Sequence, residues 1–267
     1  MIVKRPEEGS LGSRLNSVQG REKGRRTQVI GSAAGLLGSL ILFWSGDAAA
    51  VYALTTLGIL GAVISFILLV TYGTRWYQDK QNADILRSGV DGEKHTLRIL
   101  AVLPDTYTAV PNAHVRYRGK QSEMDLVVMG PNGIFIVETK NHRGRITGGE
   151  EDQKWIQVKT SRGGNTYQKE FYNPVKQVST HVHNLAGFLR EQENDIWVQG
   201  IVYFANPETH VNFVPEHGGV PVFVASEGGS EELARYIRGY ANPTRRPLSM
   251  ETIDRMTDRL VRESSRR

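Results

Sequence analysis

Two uncharged stretches dominate the first third of the chain. Residues 27–46 include Leu36, Leu37, Leu40, Ile41, Leu42, Phe43 and Trp44, and residues 48–74, beyond a lone Asp47, are rich in Leu, Ile, Val and Ala. Each is long enough for the ~20 residues that cross a bilayer as a helix. Ser45-Gly46-Asp47 leaves room only for a tight turn between them. The pattern predicts a two-helix transmembrane hairpin over about 27–46 and 48–74, set against a buried soluble hairpin as the alternative. Arg21, Lys23, Arg25 and Arg26 precede the pair, and Arg75 and Lys80 follow it. Basic residues at both outer ends place the two termini in the cytoplasm and the protein in the cell membrane. Trp44, Tyr72, Trp76 and Tyr77 fall where interfacial aromatics are expected, and Gly31, Gly35, Gly38, Gly58 and Gly61 allow close helix contact.

The period then changes. Residues 75–88 are polar and read as a linker or helical stalk, after which Glu93, Leu97, Leu100 and Ala101 recur at helical spacing. Thr106–Val115 reads as a strand with Pro111 at a bulge or end. Met124–Met129 and Ile134–Lys140 read as two strands joined by a Gly130-Pro131-Asn132-Gly133 turn. A second helix opens with Asn173 as N-cap and Pro174 in its first turn, and buries Val175, Val178, Val182, Leu185 and Leu189. Trp197–Phe204 and Val220–Ala225 read as strands and Glu231–Tyr240 as a helix. Ser249–Arg262 forms an amphipathic helix that packs on the domain or lies on the membrane. The expected division is a disordered basic segment (1–26), the hairpin (27–74), the linker (75–88), a globular domain (89–240) and a tail (241–267).

Composition narrows the classes. The chain has 267 residues, no cysteine and a net charge of +5, which removes disulfides and thiolate metal sites. Much of the positive charge lies in the tails; residues 1–26 can contact anionic headgroups, attract nucleic acid or serve only as a topology signal.

The chemistry concentrates on the strand pair. Asp125 interrupts the first strand, and Glu138 and Lys140 share one face of the second. If Pro131-Asn132 is a two-residue loop, Asp125 lies directly opposite Glu138. Opposed residues have Cβ atoms roughly 4.5–5.5 Å apart, and two like charges that close need a cation between them. A three-residue loop with a glycine bulge would instead put Asp125 on the other face. A solvated charge pair is the plain alternative, but Leu126, Val127, Val128, Ile134, Phe135, Ile136 and Val137 describe strands buried on both faces. Mg²⁺, or Mn²⁺, suits two carboxylates with waters and phosphate completing its shell. Lys140 would then orient water or stabilise charge on a phosphate.

With these residues, the chain resembles the nuclease-related domain family, a branch of the PD-(D/E)xK phosphodiesterase superfamily, over roughly residues 88–205. The resemblance rests on Gly92-Glu93, Glu123-Met124-Asp125, Gly133-Ile134-Phe135-Ile136-Val137-Glu138-Thr139-Lys140-Asn141, Gly144-Arg145-Ile146, Trp155 and Asn173-Pro174-Val175-Lys176-Gln177. The chain departs from the family at Glu123, where Gln is frequent, and at Leu126, where His is common. The resemblance implies a restriction-endonuclease-like α/β fold, a small mixed sheet flanked by helices. Asp125 and Glu138 would bind metal, while Lys140, Glu93 and Gln177 would complete the catalytic set. On the residues alone, Glu93 can equally serve the helix dipole and Gln177 can be a surface residue.

Between the strand pair and the second helix, basic residues alternate with Trp155, Tyr167, Phe171 and Tyr172. Arg143, Arg145, Lys154 and Lys176 are candidate contacts to a nucleic-acid backbone, with a charge-mixed solvated loop as the alternative. His181 and His183 face differently on their helix and do not suggest a metal pair. The expected function is a membrane-anchored, metal-dependent nuclease of DNA or RNA; a non-catalytic nucleic-acid- or protein-binding scaffold is the rival.

Overall fold

The computed structural model describes residues 1–6, 11–44, 51–160, 163–191, 196–213, 219–242 and 246–266, without the side chains of 42–44 and 51–54. Two compact units emerge: Leu11–Arg87, and Met1–Ser10 together with Ser88–Arg267. The N-terminal residues expected to be disordered are partly ordered. Strand β1 (Ile2–Val3) joins a sheet, and helix α1 (Leu11–Trp44) begins well before the uncharged stretch. Two apolar residues are too few to show a strand period.

In the helical unit, α1 runs antiparallel to α2 (Val51–Leu100). Arg25 Nε lies 3.0 Å from Asp79 Oδ2, and Trp76 Nε1 donates to Glu22 Oε1 at 3.3 Å. A Cβ at Gly61 would stand 2.7 Å from Ser39 Oγ, so this glycine permits the close approach. Among the described residues, one helix, α2, is long and apolar enough to cross a membrane. The expected transmembrane hairpin is thus supported for one span; the other expected span, 27–46, ends on residues outside those described. The candidate stretch of α2 is rich in Leu, Ile and Val before Arg75. The Ser45-Gly46-Asp47 turn lies outside the described residues. The linker 75–88 is helical throughout, within α2.

The second unit is built from β2 (Thr108–Tyr117), β3 (Lys120–Gly130), β4 (Gly133–Lys140), β5 (Gly144–Thr147), β6 (Lys154–Thr160), β7 (Thr166–Tyr172), α3 (Pro174–Arg190), β8 (Val198–Phe204), β9 (Thr209–Asn212), β10 (Val222–Val224), α4 (Gly229–Gly239) and α5 (Met250–Ser264). Six strands form one mixed sheet in the order β1-β2-β3-β4-β8-β10, and four form another in the order β7-β6-β5-β9. The α/β expectation therefore holds, but the strands of the second sheet were not predicted. Its strands are polar: β7 reads Thr-Tyr-Gln-Lys-Glu-Phe-Tyr and is largely exposed, so it lacks an apolar alternation.

Both faces of the six-stranded sheet are covered. Val127, Met129, Ile134 and Ile136 pack with α3 and α5, while Leu126, Val128, Phe135 and Val137 pack with the end of α2 and with α4. This accounts for apolar runs without alternation. Of the two placements expected for the C-terminal helix, on the domain or on the membrane, α5 takes the first and supplies part of this core. Ile253, Met256 and Leu260 are buried, and Ser264 Oγ accepts a 2.8 Å hydrogen bond from His114 N. Ser249 caps the helix by accepting from Thr252 N.

Candidate active site

The site begins at the β3–β4 turn. Asn132 Oδ1 accepts from Tyr107 Oη at 2.9 Å, and its Nδ2 donates to the carbonyls of Ile237 at 2.6 Å and Tyr240 at 3.1 Å. These bonds hold a two-residue loop. Gly130 pairs with Gly133, Val127 with Ile136, and Leu126 with Val137. The ladder ends there; one residue further along the two strands come Asp125 and Glu138.

At that rung the strands part. Instead of a ladder bond, Thr139 N donates to Asp125 Oδ2 at 2.8 Å. On the other side, Pro111 pairs with Leu126 and Ala113 with Met124, leaving Asn112 opposite Asp125 outside the ladder. Asn112 has φ +51°, a left-handed conformation that Asn tolerates better than most residues. The core-facing parity changes there: Val110 and Val127 face α3 before it, Ala113 and Met124 after it. Asp125 thus sits at a seam. Glu93 reaches the seam from the α2 side, where it hydrogen-bonds Asn112 and feels Asp125. A Cβ at Gly92 would lie 2.9 Å from Asn141 Cβ, so glycine lets α2 come close to the end of β4.

On the α3 side, Lys140 Nζ donates to Glu138 Oε1 at 2.7 Å and to Gln177 Oε1 at 2.9 Å. Glu138 is 1% exposed. Its other oxygen, Oε2, is buried and has no hydrogen-bond donor among the described residues. His181 Nε2 faces it at 3.5 Å, also without a hydrogen bond. Behind the imidazole, Ser122 Oγ lies 2.7 Å from His181 Nδ1 and accepts from Asn184 Nδ2 at 3.2 Å.

Burial and crowding of like charge govern the electrostatics. Burial, then the neighbouring Glu138, pushes the Asp125 carboxyl up. Burial also raises Glu138, against the pull of Lys140. Glu93 is pushed from 4.5 to about 7 by burial, then by Asp125, with Asn112 opposing. Burial opposes the charge on Lys140, but Glu138 and Asp125 outweigh it and hold its proton more firmly than usual. His181 is lowered to about 4 by burial and then Lys140, and is neutral near pH 7.

The five sequence-predicted residues Glu93, Asp125, Glu138, Lys140 and Gln177 thus meet at one place through direct bonds or electrostatic contact. Among the described residues, no three His, Asp or Glu side chains are grouped to hold a metal ion by themselves. Asp125 and Glu138 nevertheless fit a hard cation that keeps several waters: their donors are carboxylate oxygens, and Glu138 Oε2 lacks a donor.

The outlying basic residues are disposed differently. Lys154 pairs with Glu170 at 2.7 Å and Arg143 with Glu208 at 2.7 Å. Lys176 Nζ donates to the Glu151 carbonyl at 2.6 Å. Arg145 is exposed, opposite Val158 and beside His210. Asn112, His181 and Ser122 were missed. Their signals were an Asn after Pro inside a strand, and a His four residues beyond Gln177 on the same helical face.

Residues 88–205 match the model of the nuclease-related domain. The chain is 32% identical over 106 residues to an uncharacterized protein of Bacillus anthracis, covering 39% of this chain and 48% of that protein. It is also 32% identical over 123 residues to a probable kinase, PglW, of Streptomyces coelicolor, covering 46% of this chain and 7% of that protein. The chain therefore spans about half or less of the length of the curated relatives it matches. No solved structure matches. The matched segment 88–205 comprises the end of α2, strands β2–β8 and α3, and is similar to the nuclease-related domain.

Proposed function

We propose that this domain hydrolyses phosphodiesters of DNA or RNA with Mg²⁺ or Mn²⁺ held by Asp125 and Glu138. The observation that carries the reading is Glu138 Oε2, a buried carboxylate oxygen near Asp125 with no hydrogen-bond donor among the described residues. Such an atom is unfavourable unless something positive completes it. A divalent ion there would supply Lewis-acid polarisation of a phosphoryl oxygen and an acidified water.

The chain's own groups divide the remaining tasks. Lys140, protonated and fixed by Gln177, stabilises negative charge on a phosphate in the transition state. Glu93, half ionised near neutrality, holds or releases a proton at the seam. His181 orients Glu138. With Asn184 donating to Ser122, the simplest proton assignment directs the serine hydroxyl to His181 Nδ1 and leaves Nε2 protonated, 3.5 Å from Glu138 Oε2 but outside hydrogen-bond geometry. The apolar stretch of α2 anchors the chain in a membrane, with the domain on the cytoplasmic side.

The test is incubation of the full chain in detergent with linear, nicked and single-stranded DNA, and with RNA. Cleavage that requires a divalent ion and disappears in Lys140→Ala supports the proposal. Cleavage unchanged in both Asp125→Ala and Glu138→Ala rejects the assigned site. A second reading, a non-catalytic nucleic-acid- or protein-binding scaffold at the membrane, draws on the lack of a three-residue ligand group among the described residues. It predicts binding without turnover.

A further inference from the structure

The four-stranded sheet carries a cationic face that the active-site residues do not use. Trp155 opposes Phe171, Gln157 opposes Lys169, and Lys159 opposes Tyr167, so all six side chains share one face of the β6–β7 pair. Trp155 and Gln157 are buried; further along the strands Lys159 is partly buried and Lys169 exposed. Among the described residues neither lysine has a carboxylate partner, whereas Lys154 on the same strand pairs with Glu170. Unlike charges would be the stabilising arrangement at these cross-strand positions. Here burial, then Lys169 and Arg143, hold Lys159 below the ordinary lysine value.

This positive field runs on to the active site. His142 follows β4, donates from Nδ1 a 3.2 Å hydrogen bond to Gln157 Oε1, and stacks on Phe171 with ring centroids 4.4 Å apart. It feels Lys140, Lys159 and Lys169 together. Beside Lys159, a cleft of about 660 Å³ is lined by Arg143, Tyr167 and His210 among others, with Tyr167 53% exposed. Arg143 in this cleft is paired with Glu208, but Lys159 and Lys169, without a carboxylate partner among the described residues, an exposed aromatic ring and a concave wall suit a chain of regularly spaced phosphates with bases able to stack.

We propose that Lys159 and Lys169, with the cleft beside them, bind the phosphodiester backbone of a nucleic acid and lead it to Lys140. This deepens the nuclease reading and rests on it for the direction of the strand. Phosphate could also be presented by lipid headgroups. The concave cleft and the continuity of charge with the active site favour nucleic acid over a flat bilayer surface.

The test reads binding and turnover separately. The full chain in detergent is titrated into fluorescently labelled DNA duplex, single-stranded DNA and RNA, with EDTA present to prevent cleavage. In parallel it is mixed with vesicles of phosphatidylcholine, with and without phosphatidylglycerol. Lys159→Ala/Lys169→Ala should weaken binding to at least one nucleic acid by about tenfold or more. It should also flatten the log affinity against log salt slope by about two, the expectation for two lost phosphate contacts. Lys159→Arg/Lys169→Arg should restore binding, and the thermal unfolding midpoint of each variant reports whether it folds. Unchanged affinity in the folded alanine variant overturns the proposal, as does parent protein that binds no nucleic acid. Loss confined to phosphatidylglycerol vesicles overturns it in favour of a lipid surface. Parent protein that binds through these lysines but cleaves nothing with Mn²⁺ supports the binding face while removing the catalytic reading.

Discussion

His181 Nε2 stands 3.5 Å from Glu138 Oε2, two buried polar atoms that face each other without a hydrogen bond. The imidazole is fixed from behind by Ser122 and Asn184, so its position is set by the fold rather than by Glu138. His181 is a positioning residue in this account. Partners behind a metal ligand typically contribute 10–100-fold to metal affinity. His181→Ala should weaken Mn²⁺ binding about tenfold, and Ser122→Ala should weaken it less. Titration calorimetry checks both; unaltered affinity in His181→Ala would remove the assigned role.

Glu93 gives a pH dependence whose sign is fixed. Its pKa rises from 4.5 in the unfolded chain to about 7 in the fold. The folded state therefore holds this proton more tightly, and the associated stability is complete below pH 4.5 and lost as pH rises through about 7. Cation-free protein should lose denaturant resistance across that window, and Glu93→Gln should lose less. Because cation binding favours ionised carboxylates, Mn²⁺ affinity should rise over the same window. Urea unfolding with EDTA at several pH values measures the first effect.

Removing Lys140 leaves Glu138 buried without its cation. Breaking a buried pair in this way typically destabilises by about 3–5 kcal/mol, less where the carboxylate takes up a proton instead. Lys140→Ala should lower cation-free stability most at alkaline pH, and saturating Mn²⁺ should restore part of the loss. Denaturant unfolding with and without the ion tests this.

The kink at Asn112 separates backbone from side-chain effects. A left-handed residue with a Cβ costs roughly 1–2 kcal/mol, which Gly avoids. Asn112→Gly should therefore be more stable than Asn112→Ala, while both lose the hydrogen bond to Glu93 and push its carboxyl higher still. NMR titration of a Glu-labelled sample reads the second effect.

Much of the site was legible because strand alternation and a two-residue loop fix which side chains oppose one another. Asp125 and Glu138 follow the last paired residues, Leu126 and Val137, of that register, and Asn173 caps α3 so that Gln177 reaches Lys140. The loop length itself was not legible. It depends on Asn132 binding the Ile237 and Tyr240 carbonyls, more than a hundred residues away. The seam at Asn112 was hidden for a similar reason, since parity changes only where two strands part together. The polar four-stranded sheet offered no apolar period.

The central claim is that Asp125 and Glu138 hold one divalent cation beside Lys140. Titration calorimetry of the full chain with Mn²⁺ at pH 8 tests it most directly. The account predicts saturable binding at a single site, abolished in Asp125→Ala and in Glu138→Ala. Absence of binding by the parent chain, or equal binding by both variants, would contradict it.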